Sequence, residues 1–185
     1  TRQIGCPMRL CALLIAACLS SFASSFELRL HDKAVTLFTE ASNTTVVVFM
    51  SAICPVSNSY LERLALLFSS YSPAGVQFVF VNPNANETAS QVGEHAKANR
   101  LPFPVYIDPG QKLAVQLGAQ MTPEVFILDR SGAIRYRGRI DDALNPARVR
   151  SRDLQDAIEA MQTGKMDSVA RETKAFGCTI KRARL

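Results

Sequence analysis

The chain has 185 residues, 48% of them hydrophobic and 20% charged, and its 21 Lys+Arg against 16 Asp+Glu give a net charge of +5. That is the make-up of one ordinary globular domain of ~100–200 residues with a short extension, and it excludes a collagen, a coiled coil and a disordered chain. No apolar run reaches the ~18 residues of a membrane span, and five cysteines are too few for a disulfide-dense mini-protein.

Residues 1–25 read as an export segment. Met8–Arg9 is a basic start, residues 10–19 are apolar, and small residues follow, with Ser21–Phe22–Ala23 as a cleavage site. Ile15–Ala16–Ala17–Cys18 also resembles a lipoprotein box that would anchor the protein to a membrane through Cys18, but the run before it is short, so plain export to a periplasm or medium ranks higher. Removal of this segment deletes Cys6, Cys11 and Cys18 and leaves Cys54 and Cys178, in a compartment that permits one disulfide. Asn43–Thr44–Thr45 and Asn86–Glu87–Thr88 fit the glycosylation sequon, which matters only in a eukaryotic source.

Residues 45–50 are a continuous β-branched run, as in a strand buried on both faces. Leu61, Leu64, Ala65, Leu67 and Phe68 recur at helical spacing, so one helix is predicted over 55–71, with Pro55 in its first turn. A strand over 76–81, a polar helix over 87–100, a short strand over 105–107 and a short helix over 112–117 follow. Residues 124–129 and 133–138 form a hairpin about the turn Asp129–Arg130–Ser131–Gly132, and a last helix covers 151–162. The fold class is α/β: helical crossovers predict a mostly parallel central sheet with helices on both faces and antiparallel strands added at one edge. The domain spans 26–165, and a tail, 166–185, carries Cys178.

Cys54 follows the most apolar strand and opens the first long helix. Ligands bind at such carboxyl ends of strands, and the unpaired amides of a helix start favour thiolate over thiol. The expected site is thus an ionised sulfur within reach of solvent. An inert core cysteine would sit inside the run 46–49 rather than at the turn that ends it.

The segment Phe49–Met50–Ser51–Ala52–Ile53–Cys54–Pro55–Val56–Ser57 resembles the active-site loop of the thioredoxin-like superfamily. More closely, it is similar to the peroxiredoxin-like redoxins, the alkyl hydroperoxide reductase/thiol-specific antioxidant group. Gly75–Val76–Gln77–Phe78, Leu101–Pro102–Phe103–Pro104, Thr122–Pro123–Glu124, Tyr136–Arg137–Gly138 and Gly177–Cys178–Thr179–Ile180 extend the likeness from about Phe26 to Ile180. The resemblance implies a thioredoxin-like fold with a mixed central sheet. It makes Cys54 the nucleophile and Cys178, 124 positions later, a candidate resolving cysteine, and it puts Ser51, Pro55, Ser57, Thr122 and Pro123 around the substrate. Pro123 matches the cis-proline of thioredoxins. Ser51 keeps a hydroxyl where peroxiredoxins have threonine, whereas Ser57 replaces the second thioredoxin cysteine. Pro123 falls where peroxiredoxins place an arginine, with Arg135, Arg137 and Arg139 as candidate substitutes, and Val48 stands where many thioredoxins bury an aspartate.

Two classes of function follow. One is a thiol oxidoreductase acting on protein thiols, disulfides or a peroxide, with an unnamed electron donor and no cofactor. The other is a non-catalytic thioredoxin-fold module that holds a peptide. His31 and His95 lack ligand spacing, so no metal is expected. The adjacent acids Asp141–Asp142 read as solvated or capping, and the basic end Lys181–Arg182–Ala183–Arg184 as a solvated tail rather than a nucleic-acid patch.

Overall fold

The computed structural model describes residues 25–30, 33–39 and 42–183. Residues 1–24, which hold Cys6, Cys11 and Cys18 and nearly all of the segment expected to direct export, lie outside them, as do His31 and Arg184. Seven strands form the central sheet in the order β2-β1-β5-β4-β3-β7-β8, and β6 pairs with β9 beside it. In chain order the strands are β1 Ser25–Leu30, β2 Lys33–Phe38, β3 Thr44–Phe49, β4 Gln77–Asn82, β5 Val105–Ile107, β6 Met121–Thr122, β7 Glu124–Asp129, β8 Ile134–Gly138 and β9 Cys178–Thr179. The helices are α1 Pro55–Ser59, α2 Leu61–Tyr71, α3 Ala89–Ala98, α4 Lys112–Leu117 and α5 Asp153–Thr163.

The apolar run of β3 is buried along its whole length because both sheet faces are covered. Val46 and Val48 point into one core with Phe80, Val125 and Ile127, closed by Leu64 of α2, Val92 of α3 and Leu154 and Ile158 of α5. Val47 and Phe49 point the other way, with Val79, Val81, Phe126 and Leu128, onto Leu113, Ala114 and Leu117 of α4. This alternation is the period-two geometry of a strand.

The structure corrects the expectation of a mostly parallel sheet: only β3–β4 and β4–β5 run parallel. The neighbours β3–β7, β7–β8, β1–β5 and β1–β2 are antiparallel. The hairpin β1–β2 is an element the sequence reading did not assign, although Phe26 and Leu28 alternate with polar residues along β1 and are buried. The single helix expected over 55–71 is two helices, because Tyr60 leaves helical geometry (φ −99°, ψ −5°) and buries its ring. The helix expected from residue 87 begins at Ala89. Thr88 caps it in a capping box with Gln91, and Glu87 turns inward.

Candidate active site

Cys54 is the N-cap of α1, with Pro55 exposed in the first helical turn. The Ser57 N–H lies 3.5 Å from the Cys54 sulfur and the Thr122 carbonyl oxygen 3.2 Å from it. A disulfide joins Cys54 to Cys178, with Cα atoms 6.1 Å apart. The Thr122–Pro123 peptide bond is cis, and Thr122 pairs in antiparallel register with Cys178. The fold therefore brings together Cys54, Ser57, Thr122, Pro123 and Cys178. The expectation that the Cys54 sulfur stands open to solvent is corrected: Cys54 is 1% exposed, because Cys178 and the residues around it cover it.

Ser51 is placed differently. Its hydroxyl donates to Glu87 Oε1 at 2.6 Å, and its N–H donates to Ser57 Oγ at 3.3 Å. Glu87, 6% exposed, also accepts from the Ala52 N–H at 2.8 Å, Asn82 Nδ2 at 2.9 Å and Asn84 Nδ2 at 2.6 Å. Four donors compensate the buried carboxylate and tie loop 51–54 to the end of β4. The sequence reading took Glu87 as a helix residue and missed this role. Asn58 extends the network, donating to the Ala52 carbonyl at 3.0 Å and meeting His95 Nε2 at 3.0 Å. Burial pushes the His95 imidazole below its usual range, against the opposing pull of Glu87.

The tail runs back across the domain as a strap. Its first attachment is to β8: the Arg137 N–H donates to the Arg171 carbonyl and the Thr173 N–H to the Arg137 carbonyl, both at 3.0 Å. Gly138 has a φ of +142°, and a Cβ there would overlap Thr173. The second attachment is β9 on β6, continued by the Ile180 N–H to the Gln120 carbonyl at 2.9 Å. The third is at Lys181, whose carbonyl accepts from the Ala85 N–H at 2.9 Å and whose N–H donates to Asn84 Oδ1 at 2.8 Å. Asn84 thus touches both the Glu87 network and the strap. The basic end is not simply solvated, since its backbone is held and the Arg182 guanidinium donates to the Ala119 carbonyl.

The three arginines considered as partners for the sulfur are bound elsewhere: Arg135 to Asp129 at 3.5 Å, Arg137 to Glu172 at 3.1 Å and Arg139 to Asp153 at 2.7 Å. The Asp141–Asp142 pair divides its roles. Asp142 accepts from the Arg150 and Ser151 N–H groups, while Asp141 is buried against the Tyr60 hydroxyl, at 2.7 Å, and the Arg63 guanidinium. Burial and the Asp141 carboxylate push the Tyr60 phenol well above its usual range. The Tyr60 ring meets Phe176 of the strap at 6.3 Å between centroids.

Residues 20–137 match the AhpC/TSA family, a span that holds Cys54 and Pro123 and ends before the strap. No curated protein matches the chain. Among solved structures, a hypothetical protein from Sinorhizobium meliloti is 31% identical, with 87% of this chain and 92% of that one covered and a TM-score of 0.76. An uncharacterized conserved protein from Geobacillus kaustophilus is 27% identical over 87% of this chain and 90% of that one, also at 0.76. StoA from Bacillus subtilis shares the thioredoxin-like fold at 23% identity, over 62% of this chain and 86% of that one, with a TM-score of 0.53.

Proposed function

The chain belongs to the AhpC/TSA family, and on that footing we propose that it is a thiol–disulfide oxidoreductase whose redox couple is Cys54 and Cys178. The observation that carries this reading is the bond between a cysteine capping a helix and a cysteine on the strap, beside a cis-proline. Cys54 is the nucleophile, because the Ser57 N–H and the first-turn amides of α1 favour its thiolate.

In the reduced protein the Cys54 thiolate attacks one sulfur of a substrate disulfide, and the other sulfur leaves as a thiolate with the bonding pair. The Cys178 thiolate then attacks the Cys54 sulfur and expels the second substrate thiolate. The substrate gains two electrons and becomes two thiols, and the protein is left with the Cys54–Cys178 link. A dithiol reductant returns the electrons. In the closed form Cys178 is half-buried and Cys54 is 1% exposed, so an incoming thiolate meets the Cys178 sulfur and Cys54 departs, a role suited to the better-stabilised thiolate. Ser57 cannot close a local disulfide, which gives that task to the strap.

Disulfide exchange is favoured over peroxide reduction because Arg135, Arg137 and Arg139 are neutralised by Asp129, Glu172 and Asp153. Export by residues 1–25 would place the couple in an oxidising compartment, where a linked pair persists. The rival reading is a non-catalytic peptide-holding module, favoured by the burial of Cys54. Consumption of glutathione disulfide by wild type and by Cys54→Ser decides between them. Loss of consumption in Cys54→Ser supports the enzyme, and equal rates leave only the module.

A further inference from the structure

Building on the oxidoreductase reading, we propose that the strap is a template for the protein's partner. The groove beside Pro123 would take an extended, cysteine-bearing peptide with glycine just before the cysteine and a large apolar residue two positions after it. Four features of the bound strap set this pattern. Backbone pairing fixes the register, with Thr122 opposite Cys178 and Met121 opposite Thr179. A Cβ on Gly177 would overlap the Thr122 carbonyl, so the place before the cysteine admits no side chain. Ile180 is 3% exposed and packs into the core that holds Phe26, Leu28 and Leu113, while its N–H is taken by Gln120. Beyond it, Ala85 and Asn84 grip the backbone of Lys181 and ask nothing of its side chain.

The strap is an added strand that reaches the core mainly through Ile180. Residues 175–178 are half-buried, and Ile180 is the one fully buried side chain of this segment. Ile53, beside Cys54, is left 59% exposed, an apolar rim for an incoming chain. A partner bound through the same edge cannot coexist with the strap. Formation of the Cys54–partner bond therefore displaces Cys178, and return of the strap both expels the partner and rebuilds the internal disulfide. The pairing is strand addition, in which backbone bonds supply affinity and alternate side chains supply selection.

The test uses the full chain carrying Cys178→Ser, reduced, with peptides that copy residues 174–183 and carry their cysteine as a thionitrobenzoate disulfide. Attack by Cys54 forms the Cys54–peptide bond, breaks the peptide–thionitrobenzoate bond and releases the coloured thiolate, which is read directly. Rates in a chain carrying both Cys54→Ser and Cys178→Ser are subtracted, which removes release by the other cysteines. The native peptide should react about ten-fold faster than peptides with alanine in place of Gly177 or serine in place of Ile180. Adding Gly177→Ala to the chain, which loosens the competing strap, should speed the native peptide further. Equal rates for the three peptides, or no gain from Gly177→Ala, would overturn the proposal. Activated glutathione separates the two layers: no release above the background of the chain lacking both cysteines sinks the oxidoreductase reading itself, whereas release with indistinguishable peptides sinks only the template.

Discussion

The two halves of the disulfide are built in opposite ways. Cys54 sits between a strand buried on both faces and a capped helix start, and its loop is pinned from below by the four-donor Glu87 carboxylate. Cys178 sits on a strap held mainly by backbone pairing along β8, β6 and the turn after β4. The first arrangement makes a preorganised platform. The second makes a segment that can leave and return, because edge pairing anchored by one buried side chain, Ile180, opens at lower cost than a core. Division of labour follows: the fixed sulfur does the attacking and the movable sulfur resolves.

The hardest blow to this comparison is removal of each sulfur in turn. Cys54→Ser should reduce exchange with glutathione disulfide to the uncatalysed background, whereas Cys178→Ser should still form an adduct at Cys54 and then stop, as seen by mass spectrometry of its peptides. Next is stability. The link closes a loop with a sequence separation of 124, so reduction should lower the unfolding free energy by up to about 5 kcal/mol in urea titrations. An unchanged midpoint would contradict a link that constrains the unfolded chain.

Two single substitutions sharpen the contrast. Glu87→Gln presents an amide N–H₂ to donors that need an acceptor, at a cost of about 1–3 kcal/mol, and should disturb the platform, with faster amide exchange at Ala52. Gly138→Ala combines an unfavourable φ with overlap on Thr173 and should cost about 1–3 kcal/mol. Its exchange signature should be confined to Arg137, Thr173 and the strap, with Ala52 untouched. The smallest effect is from His95. Its folded-state imidazole is held below the unfolded value of ~6.5 by burial, so protonation favours the unfolded chain. Stability should hold above that pH and decline as pH falls through it, and His95→Gln should flatten the decline.

What was legible in the sequence tracks how local its cause is. The β-branched run into Cys54–Pro55 and the Thr122–Pro123 pair declare themselves because strand, cap and proline chemistry act within a few residues. The fold followed from these together with the family resemblance. Glu87 was hidden because its ligands Ser51, Ala52, Asn82 and Asn84 come from separate segments, and because a glutamate before Ala89 reads as part of the helix. Asp141 was read as solvated for the same reason, as its partners Tyr60 and Arg63 lie far back in the chain. The β1–β2 hairpin had a local signal in Phe26 and Leu28, masked by the apolar run of residues 10–19 that reads as an export signal. Of the strap, the resemblance named Cys178 as a candidate partner of Cys54, but the route along β8, β6 and the turn after β4 was not legible, since most of those attachments use backbone groups that every residue carries.

The central claim is tested most directly by treating the full reduced chain with a stoichiometric amount of glutathione disulfide, quenching in acid and mapping the peptides. The account predicts a Cys54–Cys178 link with no lasting glutathione on either residue, and glutathione on Cys54 when Cys178→Ser is used instead. Stable glutathione adducts on both Cys54 and Cys178 of the wild-type chain, or both left as free thiols, would contradict it.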